Sequence, residues 1–228
     1  MSLSFHFHGH GTYTLDVDGT RLLIDPFFTN NPGVDVSADR VEADYILVTH
    51  GHFDHVGDLV PVAKRLGVLV ICNVEIAGWL GRQGVEKVHA QHIGGGFKHP
   101  FGYLKFIVAH HGSGLPDGSY GGNPAGFLLR TDKYRVYLAG DTALYSDMQF
   151  MAEENLDLAV LPIGDNFTMG PDDALRAAAF VKARNYIPVH YGTWPPIAQD
   201  GPAWCQAVEA RLGAHAFPLK AGETWTLA

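Results

Sequence analysis

Four metal-donor side chains fall within six residues at His50-Gly51-His52-Phe53-Asp54-His55. The run directly follows Tyr45-Ile46-Leu47-Val48-Thr49, a continuous apolar strand of the kind buried on both faces. Helical spacing over 58–66, stopping at Gly67, comes after it. A strand-to-helix loop is where folded chains commonly present functional groups. Imidazole nitrogens and a carboxylate suit Zn²⁺ and neighbouring first-row metals, and packed this densely without a cation they would be desolvated for little return. The fold must therefore hold this loop at the mouth of a buried parallel sheet.

The rest of the chain predicts that sheet. Short β-rich runs over 5–8, 12–17 and 21–25 open it, the last two joined at Asp18-Gly19, a two-residue hairpin signal. Pro26 ends the third run, and 29–37, rich in Asn, Pro and Gly, reads as a loop. A strand over 68–72, a helix over 74–82 and a strand over 85–89 continue an alternating pattern. Hairpin strands then return over 102–109, 125–131 and 134–139, flanking the Gly- and Ser-rich loop 112–122. Ser146 is read as the N-cap of a helix reaching Asn155, followed by a buried strand over 158–163 and a helix over 171–184 with Pro171 in its first turn. A strand over 186–190, a helix over 202–212 and a strand over 224–227 close the chain. Each half runs from hairpins into βα units. This predicts an α/β (α+β) fold in which two mixed sheets pack face to face under outer helices, a four-layer αββα sandwich formed as one domain over residues 1–228.

Further donors end other predicted strands: His110-His111, Asp141, Asp165 and His190. Alone, each fits an ordinary turn cap or a hydrogen-bonded histidine. Together they mark one crevice, because loops at the same strand ends of an α/β sheet converge. Strand alternation lets only one of His110 and His111 point inward. Asp25 is a candidate partner for the second nitrogen of a ligand imidazole, or a cap for the Pro26 turn. His10, His110, Asp165, Asn166 and Thr168 are candidates for the pocket rim, and Tyr191 and Trp194, beside His190, for an apolar wall or for core.

Composition removes several classes. A formal net charge of -8 argues against binding a phosphate backbone. No window approaches the roughly 18 apolar residues of a membrane span, and the first residues lack a secretory pattern, so a cytoplasmic location is expected. Cys72 and Cys205 read as buried, reduced thiols. Phosphate-binding glycine loops, Gly-x-Ser-x-Gly and His-Glu-x-x-His are all absent. The 13 histidines against 16 Lys plus Arg point instead to metals or proton transfer.

His-x-His-x-Asp-His, then His, then Gly140-Asp141-Thr142, then His190, in that order, resembles the metallo-β-lactamase superfamily over nearly the whole chain. More narrowly, Gly9-His10-Gly11, Leu23-Ile24-Asp25-Pro26, and the segments 162–171 and 188–195 resemble uncharacterised metal-dependent hydrolases near the L-ascorbate-6-phosphate lactonase branch. The resemblance implies the metallo-β-lactamase fold and two divalent ions, zinc first, with manganese, nickel or iron accepted by the same donor types. It implies His50, His52 and a histidine of the 110–111 pair at one ion, and favours His111 because Gly112-Ser113 follows it. Asp54, His55 and His190 take the other ion, with Asp141 bridging. The implied reaction is hydrolysis of a small-molecule lactone, ester, amide or phosphoester, with Asp54 as the catalytic residue that orients the water and receives its proton. A glyoxalase II-like thioesterase or a persulfide dioxygenase is the alternative inside the superfamily. A non-catalytic metal-binding or sensor protein is the alternative outside it, and a homo-oligomer is compatible with either.

Overall fold

In the computed structural model, which describes residues 2–227, Leu3, Phe5 and Phe7 are buried while Ser4 and His6 are only half-buried, the period-2 alternation of a strand with one face on a core. The first sheet holds β1 (Leu3–Gly9), β2 (Thr12–Val17), β3 (Thr20–Ile24), β4 (Tyr45–Leu47), β5 (Leu69–Cys72) and β6 (Val88–Ala90). The second holds β7 (Gly96–His99), β8 (Gly102–Val108), β9 (Ala125–Arg130), β10 (Arg135–Leu138), β11 (Leu158–Pro162), β12 (Asn185–Val189) and β13 (His215–Ala216). Strand β14 (Thr224–Thr226) returns to pair antiparallel with β1 at the edge of the first sheet. Each sheet begins with antiparallel hairpins and continues in parallel strands: β3 to β6 in one, β10 to β13 in the other. Asp18 and Gly19 join β2 to β3 with φ of 53° and 86°, the doubly left-handed conformation that a tight hairpin turn requires.

Between the sheets, Phe5, Leu15 and Ile24 meet Phe106, Phe127 and Val160, all essentially inaccessible. Side chains of this size each contribute about 1.5–3 kcal/mol on burial, so this apolar seam, rather than the polar loops, sets the architecture. Helices α1 (Phe53–Val56), α2 (Leu59–Leu66) and α3 (Val74–Arg82) belong to the first half, and α2 and α3 cover the outer face of its sheet through Leu59, Val62, Ile76 and Leu80. Helices α4 (Pro171–Val181) and α5 (Gly201–Leu212) cover the second through Ala174, Ala178, Trp204 and Val208. The four layers are thus αββα.

Several boundaries differ from expectation. Residues Ser146–Glu154 form a 3-10 helix with Tyr145 at its N-cap, and the Ser146 hydroxyl donates to Asp147 instead of capping. Only Met148 of that stretch is buried, so no apolar stripe stabilises a regular α-helix. Helix α4 ends at Val181 rather than 184, because Lys182 turns left-handed (φ 52°) and returns its N–H to Ala178 O. Val85 closes the turn after α3, its N–H reaching Leu80 O, and the strand begins at Val88. Strands β7 and β13 and helix α1 were not expected: β7 is mostly exposed, β13 is two residues long, and α1 lies inside the donor motif. Among the described residues no helix is long and apolar enough to cross a membrane, and Cys72 and Cys205 are buried free thiols.

Candidate metal centre

Both sheets deliver their parallel strand ends to one edge of the sandwich. His50 follows β4 and Val48-Thr49, His52 occupies the N-cap position of α1, and Asp54 and His55 lie within that helix. His111 follows β8, Asp141 follows β10 and His190 follows β12. Two backbone hydrogen bonds tie the halves together here, Ala125 N to Thr49 O at 3.0 Å and His190 N to His10 O at 2.9 Å. Gly140 sets the approach to Asp141: its φ is 63°, and a Cβ would meet Ala125 O at 3.0 Å. His10, Asp25 and His190 also sit at positive φ (56°, 49° and 56°), a region that costs a non-glycine residue about 1–2 kcal/mol. All three turn their side chains into the same crevice.

The donors form two groups. His50 Nε2 and His111 Nε2 lie 3.0 and 3.2 Å from His52 Nδ1. Thr49 Oγ1 donates to Asp25 Oδ2 (2.6 Å), so it accepts from His50 Nδ1 (3.0 Å), which leaves His50 Nε2 as a lone pair. The second group is Asp54, His55 and His190, joined by His10. His55 Nδ1 donates to Asp25 Oδ2 at 2.8 Å, leaving its Nε2, like His190 Nε2, buried without a hydrogen-bond partner. Between the groups stands Asp141, whose Oδ2 is 2.9 Å from His190 Nε2, 3.3 Å from His55 Nε2 and 3.6 Å from His111 Nε2. Tetrahedral Zn–N bonds of about 2.0 Å separate neighbouring donors by roughly 3.3 Å. The spacing of the imidazole nitrogens and the orphaned buried Nε2 atoms therefore fit divalent cations.

Charge is balanced internally. Burial drives His50 well below the ordinary histidine pKa, with the neighbouring His55 adding to the effect. For His190 burial works in the same direction, but the Asp141 carboxylate outweighs it and lifts the pKa to about 9. His55, between Asp141 and Asp25, is likewise raised against the effect of burial. Asp141 itself, despite burial, is held well below the carboxylate range by His190 and His55. Burial lowers His10 to about 4, so it is neutral. Its Nε2–H then donates to Asp54 Oδ2 (3.0 Å) while the Thr193 hydroxyl donates to its Nδ1 (2.8 Å). Asp54, although largely buried, is kept ionised by this hydrogen bond and by His190.

The remaining candidates separate. Asp25 sits at the centre of the hydrogen bonds just described and is 2% exposed. His110 is exposed, its ring against Tyr145 at 4.8 Å, and takes no part. Asp165, Asn166 and Thr168 form a tight turn outside the cavity: Asp165 Oδ1 accepts from Asn166 N (2.9 Å) and Asp165 O from Thr168 N (3.2 Å). That turn instead carries Phe167 to the cavity wall. Tyr191 packs against the apolar cluster under α4 and α5, whereas Trp194 lines the cavity. The cavity over the donors measures about 460 Å³, and its apolar lining includes Phe53, Phe167 and Pro196, which sequence reasoning missed. Phe53 carried a usable signal, being the one aromatic inside the donor motif. A larger groove of about 1100 Å³, lined by Lys182, Arg184 and Arg211 at the other edge of the second sheet, holds none of these donors. A separate cluster was also missed: His6 Nε2 and His8 Nδ1 lie 2.7 and 2.8 Å from the two carboxylate oxygens of Asp35, which pins the 29–37 loop to β1.

A family model described as the beta-lactamase superfamily domain matches residues 20–191. A UPF0173 metal-dependent hydrolase of Shouchella clausii is 47% identical over 224 residues, covering 96% of this chain and 97% of the relative. One from Thermus thermophilus is 45% identical over 219 residues, 96% of each. Among solved structures, Igni18, a metallo hydrolase from the hyperthermophilic archaeon Ignicoccus hospitalis, superposes with a TM-score of 0.91 at 32% identity, covering 100% of this chain and 99% of that one.

Proposed function

The chain belongs to the β-lactamase superfamily domain family, and from that premise we propose that it is a metal-dependent hydrolase acting on a small-molecule lactone, ester, amide or phosphoester with two divalent cations. Residues 1–228 are read as one catalytic domain. His50, His52 and His111 would hold one cation, and Asp54, His55 and His190 the other, with Asp141 shared. The observation that carries this reading is the position of Asp141 Oδ2 within 3.6 Å of a nitrogen from each group.

Bound there, divalent cations (zinc first, with manganese, nickel or iron as alternatives these donors accept) would lower the pKa of a water and polarise a carbonyl or phosphoryl oxygen. The chain's own residues do the positioning. Thr49 and Asp25 fix the tautomers of His50 and His55, so that both present Nε2. His10 keeps Asp54 ionised and aimed, ready to accept a hydrogen bond from the attacking water and to receive its proton as the new bond forms. No serine or cysteine nucleophile is needed. A small molecule in the cytoplasm, rather than a nucleic acid, suits the net charge of -8, and assembly into a homo-oligomer is compatible with this reading.

The test is elemental analysis of untreated protein, followed by a screen of lactones, phosphodiesters and thioesters with that metal supplied. His52→Ala and Asp141→Ala are expected to lose metal and turnover while keeping the circular dichroism of the wild type, because the apolar seam sets the sheets. A variant that retains full metal content and turnover overturns the assignment of that residue.

A further inference from the structure

The walls of the donor cavity are chemically uniform. Apart from the indole N–H of Trp194, the polar side-chain groups lining it belong to the donor set, and the rest of its surface is Phe53, Phe167, Trp194 and Pro196. Among the described residues, no lysine, arginine, serine, threonine, asparagine or glutamine lines it. Phe53 and Phe167 are 60% and 57% exposed, although a large aromatic gains most from burial. Neither is held out by accident. Phe53 packs edge-on against buried Phe27 (6.0 Å) and lies 6.2 Å from Trp194, whose ring in turn lies 4.7 Å from His10. Phe167 projects from a turn in which Asp165 and Asn166 are both left-handed (φ 64° and 50°), a conformation asparagine and aspartate tolerate best.

Resting on the hydrolase reading above, we propose that the substrate is an uncharged carboxylic ester, lactone or amide bearing an apolar arm, which lies against Trp194, Phe53 and Phe167 while its carbonyl faces the donors. A phosphorylated or polyhydroxylated arm would lose hydration against these rings and find no side-chain partner beyond the single indole N–H of Trp194, a cost of several kcal/mol per unpaired group. This sets the pocket apart from one suited to the phosphorylated lactone that names the lactonase branch. An apolar arm instead gains about 0.8 kcal/mol per buried methylene. About 460 Å³ is ample for a ring and a short chain. In the reaction, the water oxygen bonds to the carbonyl carbon, the bond from that carbon to oxygen or nitrogen breaks, and the leaving atom takes up a proton. A lactone thus opens to a hydroxy acid with no reactant other than water.

The test uses metal-loaded full-length protein and the lactones γ-nonalactone and γ-butyrolactone, which share a ring and differ in the arm, with p-nitrophenyl phosphate and bis(p-nitrophenyl) phosphate as charged controls. The expected result is a kcat/KM at least tenfold higher for nonalactone than for butyrolactone, with both phosphates poorer still. In Trp194→Ala and Phe167→Ala the nonalactone-to-butyrolactone ratio falls about tenfold, mainly through KM, at unchanged metal content. Equal rates for the two lactones, faster turnover of either phosphate, or a ratio that the variants leave unmoved overturns the proposal while leaving the hydrolase reading intact. Binding is read separately by ¹⁹F NMR of 5-fluorotryptophan-labelled protein, with the Trp194 resonance assigned from Trp194→Phe. Saturable shifts with nonalactone but not with butyrolactone or glucose 6-phosphate support the apolar site even if no lactone is cleaved, which would count against hydrolysis alone. No shift with nonalactone overturns the proposal.

Discussion

Asp25 Oδ2 and His55 Nδ1 lie 2.8 Å apart, and the same oxygen accepts from Thr49 Oγ1 at 2.6 Å, so one buried carboxylate orients a donor imidazole directly and a second, His50, through a hydroxyl. Asp25→Asn keeps the shape and tolerates the positive φ, but removes the charge that fixes His55. We predict that it weakens metal binding about 10- to 100-fold. Both carboxylate oxygens accept hydrogen bonds, so the asparagine NH2 faces a buried donor, the Thr49 N–H when its oxygen keeps His55 and the Thr49 hydroxyl, and Asp25→Asn like Asp25→Ala should cost about 1–3 kcal/mol. Chelator competition and urea midpoints separate the two effects. Wild-type metal affinity in the asparagine variant would mean that Asp25 only caps the Pro26 turn.

Metal loading should release protons. In the metal-free protein, burial disfavours protonation of His190 and His55, yet the Asp141 carboxylate prevails, so that His190 titrates at about 9 and His55 is raised well above its ordinary value. At pH 7.5 His190 therefore holds the ring proton that a cation must displace, the shift of His55 works in the same direction, and affinity falls as pH falls. Calorimetry of zinc binding to chelator-stripped protein, in buffers of different ionisation enthalpy, should give a slope of at least about one proton released. Asp141→Asn should reduce that slope. An enthalpy independent of buffer would show that His190 is already neutral.

Much of this arrangement is legible in one dimension, for a physical reason. Buried parallel strands are continuous apolar runs, and the residues just past the end of each run must surface at the same edge, so His50, Asp141 and His190 announce a common crevice, which His111 joins from the end of the antiparallel strand β8. The walls of that crevice are not legible in this way. Phe167, in a turn, and Pro196, in a single 3-10 turn, have nothing local to distinguish them from apolar residues that fold inward, and Phe53, the first residue of α1, is marked only by its place inside the donor motif. The turn at 165–168 misleads for the complementary reason: its polar residues hydrogen-bond within the turn, and the residue it contributes to the cavity wall is Phe167. The His6-His8-Asp35 cluster joins an alternating pair on β1 to a carboxylate in a distant loop, a pairing set only by tertiary structure. Edge strands β7 and β13 carry no apolar alternation, because ladder hydrogen bonds, rather than burial, define them.

Asp58 ties the loop after β3 to the start of α2. Its carboxylate accepts from Phe28 N (2.7 Å), Thr29 N (2.8 Å) and Thr29 Oγ1 (2.6 Å), and the residue is 5% exposed. We predict that Asp58→Ala destabilises the protein by about 2–3 kcal/mol, since two backbone donors lose a charged acceptor together. For a chain of this size that lowers Tm by roughly 4–12 °C. Calorimetric melting of wild type and variant decides it. A change under about 1 °C would mean that water replaces the carboxylate at no cost.

His99 makes the acid limb of stability testable away from the metal donors. Its ring is 4% exposed, stacks on Phe101 at 5.1 Å and 4°, and leaves Nε2 without a partner. Burial, with a smaller contribution from His89, lowers its pKa from 6.5 to about 4. Because the folded value lies below the unfolded one, the unfolded chain binds the extra proton between those two values. Stability is therefore full above pH 6.5 and is lost as pH falls toward about 4. His99→Phe keeps an aromatic ring against Phe101 and cannot titrate. Urea midpoints of chelator-stripped wild type and variant, measured from pH 7 down to pH 4.5, should converge or cross, with the wild type losing more. Parallel curves would place the acid sensitivity elsewhere and show that His99 protonates as easily in the folded state as in the unfolded one.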